Sequence, residues 1–267
     1  MEAIVQNWFV QFVSIVGIIY LFGFAVWGLN RVFYNMLGGR AHGICVATGF
    51  IGTPVHELGH AIFCLLFLHR ITDISLFSPS AKDGVLGYVN HAYNKRNVYH
   101  QIGNFFIGVG PILFGSAVLF LLMYFLSPDM FSSITSGIGN GAELSAGAVF
   151  TAGKDMLVAM FKESDFASLK QWVFFILAAL ITLHMSLSPA DMKGSAVGTG
   201  YIAILLLLIN VVFYMIPIPI FSMSVLTAYC VDFGLTIAGF LTFAVLVATV
   251  VALIGVAVKV VLSVLGR

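Results

Sequence analysis

Apolar residues gather in six long stretches of this chain, and polar residues fill the gaps between them. The stretches run approximately over 8–29, 44–68, 103–126, 171–188, 197–221 and 234–264. As helices, they are long enough to cross roughly 30 Å of hydrocarbon. The pattern predicts an all-α polytopic membrane protein with about six transmembrane helices. In "MIPIPIF", Pro217 and Pro219 are expected to end or break the fifth helix. Residues 69–102 change period: "ITDISLF" and "VLGYVNHAY" alternate like strands, and "SPSAKDG" between them is turn chemistry. A short β-hairpin at the membrane surface is expected there. Residues 127–170 begin rich in Gly and Ser. They continue as an amphipathic segment, "AVFTAGKDMLVAMFKESDF", expected to lie in the interface or cap the bundle. No internal repeat or long linker divides the pattern, so 1–267 reads as one integral membrane domain.

Composition sharpens this picture. The chain is 60% hydrophobic and 9% charged, whereas a soluble domain carries about 25% charged residues. A soluble enzyme is thereby excluded. Net charge is +1 and no basic run exceeds Lys95–Arg96, so no nucleic-acid partner is expected. The start, "MEAIVQNW", lacks the basic region of a cleavable signal. Cys45, Cys64 and Cys230 are odd in number and unspaced, which argues against a disulfide framework or a cysteine metal site.

The second apolar stretch contains "HELGH", residues 56–60. Charge is costly in a bilayer core, so three ionisable groups in little more than one turn need a reason. Residues four apart share a helix face, so His56 and His60 can bind one zinc ion. Glu57, next to His56, is placed to take a proton from water as a general base. From this composition, the motif would arise by chance roughly 0.003 times in a chain of this length. The plainer alternatives are polar groups that tie helices together, or an inactive descendant of an enzyme.

A hydrolytic zinc normally has three protein ligands. Asp191 in "LSPADMKG" and His184, seven residues earlier, are the candidates at the end of the fourth stretch. Ser188-Pro189-Ala190-Asp191 also reads as a helix start, and such a start would hold a carboxylate ligand well. The second and fourth stretches run in the same direction, which puts HELGH and Asp191 near the same membrane face. Asp191 is therefore favoured and His184 is the alternative. Glu143 falls on the other side and Glu163 is expected there too; either would be the third ligand in a gluzincin-type arrangement.

Taken together, "HELGH" in a membrane helix, "LGYV" (86–89), "GVGPI" (108–112) and a later aspartate resemble the site-2 protease family of intramembrane zinc metalloproteases. The layout is most similar to the branch that includes the sporulation-factor processing protease. The resemblance covers about residues 44–195 as a catalytic core, with 1–43 and 197–267 as extra helices. It implies one Zn²⁺ per chain held by His56, His60 and Asp191, with Glu57 as the catalytic residue. The substrate implied is a membrane protein cut in or near its transmembrane helix. There is room for a regulatory membrane protein as a further partner beside the lipid bilayer. The chain departs from the family pattern in "SLSPADMKG", which has one proline and Ala before Asp, and in "GVGPILFG", which lacks the usual Asn.

A membrane-embedded peptide bond must unwind before it can be cut, which leaves backbone groups unpaired. An edge strand of the hairpin could pair with them, unless the hairpin only plugs the site. Gly84 and Gly87 would allow close approach. Tyr88, Asn104 and Asn210 complete the expected substrate-binding set, although asparagines so placed more often tie helices together. The rival classes are a metal transporter, which would want ligands on several spans and a repeat, and a non-catalytic scaffold.

Lysine and arginine give the orientation. With six spans, the termini, the 69–102 loop and Lys193 share a side carrying seven basic residues, against five on the other. The positive-inside rule then makes the termini cytoplasmic, in a cell membrane. A cysteine at Ser80, in a chain lacking Cys45, Cys64 and Cys230, is expected to react with an impermeant maleimide only after the cytoplasmic side is opened. Labelling from outside intact cells would reverse the orientation.

Overall fold

The computed structural model describes residues 1–79, 85–136, 146–216 and 222–265. It is mostly helical, with one small antiparallel sheet. The first helices follow one another almost without interruption: α1 (Glu2–Phe12), α2 (Ile18–Leu37) and α3 (Ala41–Leu66). Gly38 separates α2 from α3 with φ +55°, a conformation that costs glycine little. Strands β1 (Arg70–Ser75) and β2 (Tyr88–Ala92) follow, then α4 (Val98–Leu126), α5 (Pro128–Ser136) and α6 (Ala146–Lys162). The chain ends in α7 (Leu169–Thr182), α8 (Pro189–Met215) and α9 (Met223–Val264).

Among the described residues, four helical runs are long and apolar enough to cross a membrane: Glu2–Leu66, Val98–Leu126, Pro189–Met215 and Met223–Val264. The helix Leu169–Thr182 is apolar but shorter. By length and composition the chain is a multi-pass membrane protein. The first two predicted stretches, 8–29 and 44–68, fall on the single run Glu2–Leu66, the second passing its end by two residues. The predicted fourth stretch ran to 188, but its helix stops at Thr182, and the next begins at Pro189 rather than near 197. The reason is local: Ser188 caps α8, accepting from the Asp191 N–H at 3.1 Å, while Asp191 Oδ2 accepts from the Ser188 N–H at 2.8 Å. This reciprocal capping box starts the helix where apolarity alone does not.

Helix α4 is the centre of the bundle. Phe105, Val109, Ile112, Leu119 and Met123 on it are fully buried. It packs against α3 on one side and α8 on another, with α7 and α9 beside them. Apolar packing cannot drive helices together in lipid as it does in water, so close backbone approach matters more. At Gly59 of α3, an added Cβ would come 2.8 Å from the Gly110 carbonyl oxygen and from Pro111 Cα. At Gly108 of α4, it would come 2.5 Å from the Asp191 carbonyl oxygen.

The hairpin pairs Ile71 with His91, Ile74 with Val89 and Ser75 with Tyr88, with a bulge between Ile71 and Asp73. Tyr88 donates from its hydroxyl to Asp73 Oδ2 at 2.8 Å across the strands. The predicted turn "SPSAKDG" falls in part on residues 80–84, outside the described residues. The amphipathic segment forms α6, which buries Met156, Ala159 and Met160 in a core shared with Phe243 and Val247 of α9.

Gly59→Ala is expected to destabilise the detergent-solubilised protein by about 1–3 kcal/mol, because backbone rather than a flexible side chain opposes the new methyl. Gly28→Ala, where an added Cβ would have nothing within 4 Å, serves as the neutral control. Thermal unfolding of the two variants checks the difference.

Candidate metal centre

Helix α3 carries His56, Glu57 and His60 on about one turn. The rings of His56 and His60 are oriented by backbone carbonyls from two other segments. His56 Nδ1 donates to the His184 carbonyl oxygen at 2.6 Å, and His60 Nδ1 donates to the Ile107 carbonyl oxygen at 2.7 Å. A carbonyl can only accept, so both protons sit on Nδ1 and both Nε2 atoms keep lone pairs. Those two Nε2 atoms lie 3.2 Å apart.

Asp191 comes to the same point from the first turn of α8. Its Oδ1 is 3.3 Å from His60 Nε2, and its Oδ2 is 3.9 Å from His56 Nε2. A helix N-terminus favours a carboxylate, and the Ser188 N–H holds this one in place. Ligands of a tetrahedral ion with bonds of about 2.0–2.1 Å are separated by roughly 3.3 Å. Two imidazole lone pairs and a carboxylate at these separations could hold one metal ion, and His56, His60 and Asp191 are the group of that kind found among the described residues. The carbonyls behind each imidazole are the outer-shell partners that metal-binding histidines usually have.

The group opens into a cavity of about 610 Å³, walled by α3, α4, α8, the hairpin and the 183–188 segment. Glu57 lines it, although only 6% of the residue is exposed. Gly87 lies directly over Glu57: a Cβ there would come 2.8 Å from Glu57 Cγ and 2.7 Å from Thr53 Cγ2. Tyr88 and Asn104 also line the cavity, and Asn104 donates to Gln101 Oε1 at 3.2 Å.

Other expected residues lie elsewhere. Asn210 is fully buried against α1, donating to Gln11 Oε1 at 2.6 Å while Gln11 donates back to its Oδ1 at 3.3 Å. It ties helices together and is not in the cavity wall. Gly84 and Glu143 are outside the described residues. Glu163 stands beside Lys162 at 3.7 Å, away from the group. His184, the alternative ligand, lines the cavity but turns its ring to Thr48 Oγ1 at 2.9 Å and Thr53 Oγ1 at 3.4 Å. Its contribution to the centre is its carbonyl.

Sequence reasoning passed over that carbonyl and the one at Ile107, and set His91 only in a polar loop, among the less favoured candidates for the third ligand. A backbone carbonyl leaves no mark in a sequence, but a histidine on a strand beside the motif was a visible signal. His91 lines the cavity from β2. Its pKa is pushed down to about 4, by burial first and then by the charges of His69 and His60. Burial also pushes His69 down.

Compared with family models, curated proteins and solved structures, the chain finds no match.

Asp191→Ala is expected to weaken metal binding by more than about 100-fold, the loss of a ligand exceeding the usual outer-shell effect. His184→Ala keeps the carbonyl and is expected to retain most of the metal. Metal content of the two purified variants, with cobalt spectra as a measure of geometry, checks this assignment.

Proposed function

We propose that this protein is a zinc endopeptidase that cuts a membrane protein in or near its transmembrane segment. One observation carries the reading: two imidazole lone pairs and a carboxylate converge on one point, and a second carboxylate, Glu57, lines the same cavity. The donor set of two histidines and one acid suits zinc, and three protein ligands leave a position open for chemistry. The resemblance to the site-2 protease family supports the same class.

A zinc ion held by His56, His60 and Asp191 would supply a Lewis acid that acidifies water and polarises a carbonyl. Glu57, on the residue after the first ligand, accepts the proton as water attacks the scissile carbonyl carbon. It then returns that proton to the amine that leaves. The Nδ1 bonds to the His184 and Ile107 carbonyls keep the two imidazoles from turning during these transfers.

The cavity opens beside β2, whose Val89 and Asn90 are in its wall. An unwound peptide can lie along this strand and regain backbone hydrogen bonds there. Gly87 covers Glu57, so the hairpin must yield before a peptide bond reaches the base. The hairpin thus combines both expected roles, plug and docking strand. The Glu2–Leu66 run supplies two of six spans, with α7 as the short fourth, and the termini are cytoplasmic in a cell membrane.

Glu57→Gln is expected to keep the metal and the fold but to lower cleavage of a co-expressed, tagged single-span protein by at least about 100-fold. Cleavage at the wild-type rate by the purified variant would remove Glu57 from the mechanism. Cleavage by metal-stripped wild-type protein would remove the metal.

A further inference from the structure

His91 stands in the wall of the cavity but outside the His56, His60 and Asp191 group. Its Nδ1 lies 3.0 Å from Nδ1 of His69. Two ring nitrogens share a hydrogen bond only if one of them donates, and His69 settles which. Nε2 of His69 is 2.9 Å from the carbonyl oxygen of His100, which can only accept. Neutral His69 therefore carries its proton on Nε2 and keeps a lone pair on Nδ1. His91 must then donate from Nδ1, and its neutral ring has its lone pair on Nε2.

The chain of bonds also fixes direction. His69 is buried at 3% exposure and is not part of the cavity wall. Tyr93 stacks on its ring with centroids 4.6 Å apart, and the His100 ring lies 5.3 Å away. Nδ1 of His91 is turned toward this cluster, so Nε2 is the nitrogen left for the cavity. Burial and the neighbouring histidines keep His91 neutral near pH 7. The wall thus holds a hydrogen-bond acceptor on the strand proposed to dock substrate.

A peptide entering the cavity brings backbone N–H groups that have lost water, and each lacks a partner at a cost. We infer that His91 contacts the substrate, its Nε2 accepting one backbone N–H of the extended peptide, and that His69 is a positioning residue that sets the His91 tautomer. The inference rests on the endopeptidase reading above and names a contact that reading does not require.

The test is a chemical double-mutant cycle in the Glu57→Gln background, which binds without turnover. The probe is a short fluorescein-labelled alanine–leucine peptide, made with one backbone amide N-methylated at a time. One N-methyl position is expected to weaken binding by about 3- to 10-fold, the loss of one hydrogen bond. In His91→Phe that penalty should vanish at the same position, and in His91→Gln, which restores an acceptor, it should return in part. Nitrogen NMR of histidine-labelled protein should show His91 protonated at Nδ1, and His69→Phe should release this tautomer while metal content stays unchanged.

Penalties unaffected by His91→Phe would overturn the inference. So would a His91 ring protonated at Nε2, or a second equivalent of metal lost with His69→Phe. Cleavage of the tagged single-span protein separates the two levels. If wild type cleaves it and the cycle shows no coupling, only the His91 contact fails. If wild type neither cleaves it nor binds the peptide, the endopeptidase reading fails and takes the contact with it.

Discussion

The meeting of His56, His60 and Asp191 depends on how closely α4 lets two other backbones approach it. Gly110 meets Gly59 of α3, and Gly108 meets the Asp191 carbonyl at the start of α8. Next to these contacts, Ile107 offers its carbonyl to His60. Four consecutive residues of α4 therefore set the distance from the histidine helix to the aspartate helix. A side chain at either glycine would part the ligands by more than the few tenths of an ångström that a metal site tolerates. The apolar core around Phe105, Val109 and Ile112 keeps these contacts in register.

Two features make the centre rigid in different ways. The histidines are held from behind, by carbonyls whose position follows from the packing of α4 and the 183–188 segment. Asp191 is held from its own backbone, by the reciprocal bonds with Ser188. The first depends on tertiary structure and the second is local. The aspartate is oriented as soon as α8 starts, whereas the imidazoles find their orientation only when α3, α4 and the 183–188 segment have met.

This division explains what was legible in the sequence. HELGH was legible because helical periodicity makes the spacing a statement about geometry, and apolar surroundings make polar residues conspicuous. Asp191 was legible because Ser-Pro-Ala-Asp encodes its own cap. The hairpin followed from a change of period. The carbonyls of Ile107 and His184 were not legible, since every residue has one. Asn210 was misplaced for a related reason. A lone amide in an apolar helix reads alike whether it faces a cavity or another amide, and Gln11, its partner, is 199 positions away. The start of α8 at Pro189 differed from expectation because capping, not apolarity, decided it.

Among the described residues, the side chains of α1 that hydrogen-bond to other helices find their partners late in the chain. Trp8 donates to the Ala203 carbonyl, Gln11 pairs with Asn210, and Asn7 accepts from Thr227. During synthesis at roughly 5–20 residues per second, these amides are made roughly ten to forty seconds before anything that can satisfy them. Until then these side chains lack the partners they have in the folded chain. These bonds of α1 form only when α8 and α9 arrive, so among the described helices one of the first made is among the last to be fastened.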